Sequence, residues 1–206
     1  DTHSATWYQG MVEGLKVMSL MQQGSGSTLV RWAPQTYFNP HRHYGGEEIF
    51  VVDGVFEDEH GRYPAGSWIR SPHMSLHKPF SKEGCTIFVK LRQFHPDDSA
   101  TIRIDTKNTA WYPGLVPGLS VMPLHEFDGV GTALVRWAPN TIFNPHVHPG
   151  GEEILVLEGV FHDEHGSYPS GTWIRSPRYS THKPFTKSEG ALIYVKTGHL
   201  NHKLDR

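Results

Sequence analysis

The 206-residue chain has one cysteine, Cys85, so an internal disulfide is excluded and a reducing cytoplasm is the expected location. No apolar run approaches the ~20 residues that a membrane helix needs, and no membrane partner is expected. Lys and Arg are scattered and the formal net charge is −2, so nothing offers a phosphate backbone a basic surface and nucleic acid is not an expected partner. The opening DTHSATWYQG lacks both the charged and the apolar region of a secretory leader. Sustained helical periodicity is missing throughout.

What the chain does have is histidine, 15 in all, together with 21 Gly and 15 Pro. It also says nearly the same thing twice. Leu29–Phe80 aligns without a gap on Leu134–Phe185, and 38 of these 52 positions are identical. Upstream the match continues with a one-residue shift, pairing Trp7 with Trp111 and Met18 with Met122; downstream EGCTIFVK pairs with EGALIYVK. A period this long is a duplicated domain rather than a solenoid repeat. The expected domains are 1–103 and 104–206. Within each, short runs rich in β-branched and aromatic residues (STLVRWAP, EEIFVVDGVFED, GSWIRSP, CTIFVKLRQF) alternate with Gly, Pro, Asn and Asp, and DEHG reads as a hairpin turn. The fold class is therefore all-β, two small barrels in tandem.

Each copy carries His-x-His, three residues, then Glu: His41, His43, Glu47 and His146, His148, Glu152. Alternation along a strand puts the two histidines of each pair on one face. Glu47 shares parity with Ile49 and Val51, which suit a barrel interior, whereas Glu48 goes with Phe50 and Val52; the intervening Gly45-Gly46 leaves that choice open. A fourth candidate follows in the later strand, His77 and His182. Imidazole and carboxylate together suit a divalent ion, with Zn favoured and Fe(II), Mn or Ni as alternatives. His73 is replaced by Arg178 in the second copy, and His60 and His165 sit in the DEHG turn, so none of these is needed as a ligand.

PHRHYGGEEIFVVDG, YPAG and the later His77 resemble the two signature motifs of the cupin superfamily, as does the second copy. The longer string through GTWIRSP is similar to the cupin domain of ChrR-type anti-sigma factors, a zinc-binding branch, and to cupin dioxygenases that cleave diketones and acetophenones. The resemblance implies jelly-roll barrels and a metal held by His41, His43, Glu47 and His77, and again by His146, His148, Glu152 and His182. It also implies barrels that pair within the chain, a possible homo-oligomer, and barrels able to take a small molecule; Phe50, Val52, Leu155 and Leu157, of opposite strand parity to the presumed ligands, are the packing candidates. The anti-sigma proteins use a separate helical domain with a Cys-x-x-Cys pair, which one cysteine cannot supply. The expected function is a metal-binding bicupin, sensory or structural, with an Fe(II) dioxygenase as the alternative; no catalytic residue is assigned.

Arg31 and Arg136 could reach into the barrel to hold a substrate carboxylate, but the structural reading is preferred, packed on the adjacent Trp32 or Trp137 or exposed on the far face, and Arg70 and Arg175 are read the same way. Trp32, Phe38, Phe56 and Trp68 are read as core, and Cys85, an alanine in the second copy, as a small core residue. The copies differ around the motif at Tyr37/Ile142, Arg42/Val147, Tyr44/Pro149 and His73/Arg178, where selectivity would be written if the barrels bind distinct small molecules; drift after duplication accounts for the differences equally well.

Overall fold

The computed structural model describes residues 1–21 and 26–200; the stretches 22–25 and 201–206, the latter ending the second expected domain, lie outside the described residues. Among the described residues every regular element is a strand and there is no helix, let alone one long and apolar enough to cross a membrane. The chain divides into two units: Thr6–Thr109, and Ala110 onward together with Asp1–Ala5. The division falls later than position 103 because the strand Ile102–Asp105 pairs with Ser67–Ser71 of the first unit. At the other end Thr2 donates its N–H to the carbonyl of Gly171, drawing the first residues to the second unit.

In each unit one 12-residue strand organises the sheet: Glu47–Asp58 and Glu152–Asp163. Glu47–Asp58 pairs antiparallel with Cys85–Leu91 on one side and with Ser67–Ser71 on the other, and turns through Glu59-His60 into Gly61–Pro64. Glu152–Asp163 repeats this with Ala191–Thr197, Trp173–Ser176 and Gly166–Pro169. The sheets are completed by Leu15–Ser19 and Ser27–Trp32 in the first unit and by Leu119–Phe127 and Val130–Trp137 in the second.

Ile49 and Val51 point into the first core with Leu15, Trp32, Phe56 and Ile87; Ile154, Val156, Phe161 and Ile193 make the equivalent core in the second unit. Phe56 lies five residues beyond Val51, so simple alternation would place it on the same face only if one residue more or less intervened. The register supplies the difference. Thr86 pairs with Asp53 and Ile87 with Val51, leaving Val52 bulged out of the ladder. Leu157 is bulged in the same way between Val156 and Glu158. Val52 is consequently exposed and Leu157 half-buried, whereas Phe50 and Leu155 are buried. The bulge removes Val52 from the packing face that alternation predicts for it.

Cys85 sits in this core, and burial pushes its thiol up to about 12. Thiolate, the reactive form, is then scarce at about pH 8. A thiol reagent at that pH should leave the folded chain unlabelled and should titrate one thiol per chain after denaturation. Rapid labelling of the folded chain would place Cys85 outside the core.

Candidate metal centre

The histidine pairs lie on short strands of their own. His41–His43 pairs antiparallel with Ser75–His77, placing His41 opposite His77, and His146–His148 pairs likewise with Ser180–His182. The chain must then swing from this small ladder into the long strand. Gly45 and Gly46 do this with φ of 82° and 79°, a region that residues with a Cβ rarely enter. A Cβ on Gly46 would also come within 2.4 Å of the Phe94 ring. The diglycine does break the strand, so alternation from His43 carries no phase across it. The pairing of Glu47 with Ser71 and Leu91 fixes its orientation instead.

The three imidazoles of each unit converge. The Nε2 atoms of His43 and His77 are 2.8 Å apart; in the second unit those of His148 and His182 are 3.0 Å apart and those of His182 and His146 are 3.2 Å apart. His41, His43 and His77 form one group able to hold a metal ion, and His146, His148 and His182 another. A carboxylate oxygen stands beside each. Glu47 Oε2 is 3.3 Å from His43 Nε2 and 3.5 Å from His77 Nε2, and Glu152 Oε1 is 3.6 and 3.7 Å from His148 and His182. All eight residues predicted from sequence are thus drawn into two clusters.

The other ring nitrogens are tethered so that Nε2 faces inward. His41 and His146 each place Nδ1 against a backbone carbonyl, of Asn39 at 2.9 Å and of Asn144 at 3.0 Å. His77 and His182 turn Nδ1 toward Asp58 and Asp163, at 3.5 and 3.7 Å. Those aspartates are themselves held, Asp58 Oδ1 accepting from the backbone N–H of His60 and Gly61 and from the Tyr63 hydroxyl, with the same three bonds on Asp163. Carboxylates that fix the tautomer of a ligating histidine are a regular feature of metal sites. Sequence reading missed Asp58 and Asp163, because plain alternation from Glu47 sends position 58 to the opposite face; the bulge at Val52 brings it back. Phe38 and Phe143 set their rings edge-on to His41 and His146 and complete the wall.

Burial governs the charges. It pushes the Glu47 carboxyl up to about 7, with Asp58 adding and His77 and Arg103 opposing, and Glu152 up to about 8, with Asp163 adding. Burial, helped by the neighbouring imidazoles, lowers His43 to about 3 and His148 to about 4, and it lowers His41 too. His77 and His182 move in opposite directions. Burial lowers both, but Asp58 and Glu47, each closer than its counterpart, carry His77 above the usual imidazole value while His182 stays below it.

A divalent ion fits this donor set. Each Nε2–Nε2 contact can share only one proton, so the lone pairs do not satisfy one another. Glu47 Oε2 and Glu152 Oε1 are buried without a hydrogen-bond donor. A buried carboxylate oxygen facing neutral imidazoles is costly unless a cation joins them.

The remaining candidates lie elsewhere. His73 accepts the N–H of Gly45 on Nδ1, and His60 is a largely exposed turn residue. Arg31 and Arg136 stack on Trp7 and Trp111, each 4.3 Å from the ring centroid, not on the adjacent Trp32 and Trp137. Adjacent strand residues point to opposite faces, so each arginine points away from the tryptophan next to it in sequence. Arg70 is buried and ion-paired to Asp98, and Arg175 lies 3.5 Å from Glu153. A cavity of about 490 Å³ opens onto the first cluster, walled by Leu15, Val30, Trp32, Phe56 and Ile87, with Arg42 and the exposed Met11 also lining it. Another, of about 480 Å³, reaches His148 past Val147, Pro149, Arg178 and Tyr179. Of the positions at which the copies differ, Val147, Pro149 and Arg178 line the cavity of the second unit and Arg42 that of the first; Tyr37, Tyr44 and His73 do not line the latter, nor Ile142 the former.

The ChrR cupin-like domain model matches the chain twice, over residues 1–95 and 99–201. The chain belongs to the ChrR cupin-like family. A search of curated proteins gives no significant match. Among solved structures, a putative dioxygenase from Nostoc punctiforme PCC 73102 superposes with a TM-score of 0.83 at 18% identity, covering 97% of this chain and 82% of that one. The salicylate 1,2-dioxygenase of Pseudaminobacter salicylatoxidans gives 0.70 at 11% identity, covering 88% and 76%. The formate complex of the Lactobacillus farciminis oxalate decarboxylase gives 0.68 at 12% identity, covering 96% and 85%. Within the ChrR cupin-like family this chain is a bicupin, and at these identities the structural likeness speaks for the fold alone.

Proposed function

We propose that each unit binds one divalent metal ion through three imidazoles and a carboxylate: His41, His43, His77 and Glu47 in the first, His146, His148, His182 and Glu152 in the second. The observation that carries this reading is the convergence of Nε2 atoms on a buried carboxylate oxygen that has no hydrogen-bond donor, repeated in both units. Zinc is the favoured ion, with Fe(II), Mn and Ni accepted by the same donors. In this reading the ion fastens each two-stranded histidine ladder to the long strand of its barrel, and the role is sensory or structural. The reducing cytoplasm is the compartment that a lone buried thiol suits.

The apolar cavity that ends on the first cluster favours a second reading, in which a small molecule occupies the barrel and the protein is a dioxygenase, as two of its fold neighbours are named. A bound iron would there supply Lewis acidity and open positions for oxygen and a diketone or hydroxyketone. The walls would hold the apolar part of the ligand and exclude water, with Arg42 beside them.

Elemental analysis of protein purified without added metal or chelator separates the readings. About two zinc ions per chain, with no iron, are expected. Iron, with oxygen uptake on small diketones, would establish the dioxygenase instead. A chain free of any transition metal and unable to take one up would end both.

A further inference from the structure

A second cavity of the first unit, of about 500 Å³, shares only His77 with the one that opens on the metal group. It is lined by His60, Tyr63, Ser71, Ser75, Thr101 and Arg103, with Pro72 and Leu76 as apolar wall. No carboxylate lines it. Arg103 comes from Ile102–Asp105, the strand that follows the last barrel strand of the unit and pairs with Ser67–Ser71.

The Arg103 guanidinium is held rigidly. Nη1 donates to the carbonyls of Arg70 at 2.8 Å and Ile102 at 2.9 Å, Nη2 to Ser71 Oγ at 3.2 Å, and Nε to the Tyr63 hydroxyl at 3.3 Å. Four of its five N–H groups are thereby placed, one on Nη2 remains, and among the described residues no carboxylate pairs with it. Ser71 Oγ, having accepted from Arg103, keeps its own hydrogen to give. Ser75 Oγ is buried without any hydrogen-bond partner. The His60 ring adds a further nitrogen, its own neighbour Glu59 being 4.0 Å away. A fixed guanidinium, its charge felt by the buried Glu47 but with no acid on the cavity walls and hydroxyl groups around it, suits a ligand that brings acceptors and negative charge.

We propose that this cavity is a binding site for a small oxyanion, a phosphate or carboxylate group, held by Arg103 with Ser71, Ser75, Thr101 and His60 as hydrogen-bond donors. Charge-assisted bonds to a preorganised guanidinium are the strong class of anion contact. His77 is the one residue the cavity shares with the metal group, and Arg103 also acts on Glu47, so the test compares binding with and without the metal.

The test is titration of the full chain with inorganic phosphate at low ionic strength, by calorimetry and phosphorus NMR, with acetate as competitor. Binding is expected both in protein as purified and after chelation; binding lost on chelation would assign the anion to the metal and overturn the proposal. Arg103→Gln should weaken phosphate on the order of tenfold or more. Because Arg103 also braces the strand, Thr101→Glu provides the second variant: the exposed Thr101 sits on the cavity wall, and a carboxylate there should repel the anion to a similar degree while the Arg103 bonds stay intact. Competition by acetate identifies a general oxyanion site, and its absence a phosphate site. No binding at about 10 mM phosphate, or unchanged affinity in Thr101→Glu, overturns the assignment.

Discussion

Replacing His43 or His148 with alanine is expected to leave each variant with about one metal ion per chain, and the double variant with almost none. Each of these residues is buried and in contact with both the partner imidazole and the carboxylate. Removing it leaves two imidazoles and one carboxylate to hold the ion. Disturbing an outer carboxylate costs about 10–100-fold in metal affinity, and loss of a ligand should cost more. Asp58→Asn gives the graded comparison, since it keeps all four donors and loosens only the tether on His77 Nδ1. That variant should fill at saturating metal and release its ion about 10–100-fold more readily to a chelator competitor. Elemental analysis after gel filtration reads the first result and competition with a metal indicator the second. Full occupancy in the double variant would mean that other residues hold the metal.

Most of this site was visible in the sequence because duplication acts as an internal control. A His-x-His followed by Glu is weak once, but a second copy with the same later histidine tests every position against its partner, and His73 failed that test where His77 passed it. The alternation rule also served well within unbroken strands, placing Ile49 and Val51 inside. It failed where the backbone leaves regular geometry. A bulge adds one residue to one strand, and its position depends on register with a neighbour some thirty residues away, Thr86 and Ile87 in this case. Nothing local to Val52 announces it. The bulge displaced Val52 from its expected face and concealed Asp58, whose DEHG setting read only as a turn. The pairing of Ile102–Asp105 with Ser67–Ser71 is non-local in the same way, and it was the reason the unit boundary and the role of Arg103 were out of reach. Arg31 and its tryptophan are non-local too: the repeat had already paired Trp7 with Trp111, but neither lies in a strand or opposite its arginine, so only the folded chain brings the two together.

Stripping the metal should destabilise the protein, and the loss should grow as pH rises from 6.5 to 8. In the metal-free protein the carboxyls of Glu47 and Glu152 lie near 7 and 8, above their unfolded value of 4.5. A raised carboxyl pKa means that the folded state holds a proton the unfolded state has released, so stability falls as pH climbs toward the folded value. His43 and His148 work in the opposite sense, with folded values of about 3 and 4 against 6.5, and their contribution rises with pH until about one unit above that unfolded value. His41 and His182, also lowered, act in the same sense as those two, whereas the carboxylates and the raised His77 cost stability as pH rises. Between pH 6.5 and 8 the two carboxylates cost about 2 kcal/mol and the lowered histidines offset part of it, so the metal-free chain should lose on the order of 1 kcal/mol, read as a falling Tm. The metal-loaded chain should behave differently, because a bound cation takes the carboxylates in their ionised form and replaces the bound protons. Thermal scans with and without chelator across this range decide the matter: a gap that widens with pH follows from buried carboxylates waiting for a cation, and a metal-free Tm that rises from 6.5 to 8 would mean that Glu47 and Glu152 are already ionised and otherwise partnered.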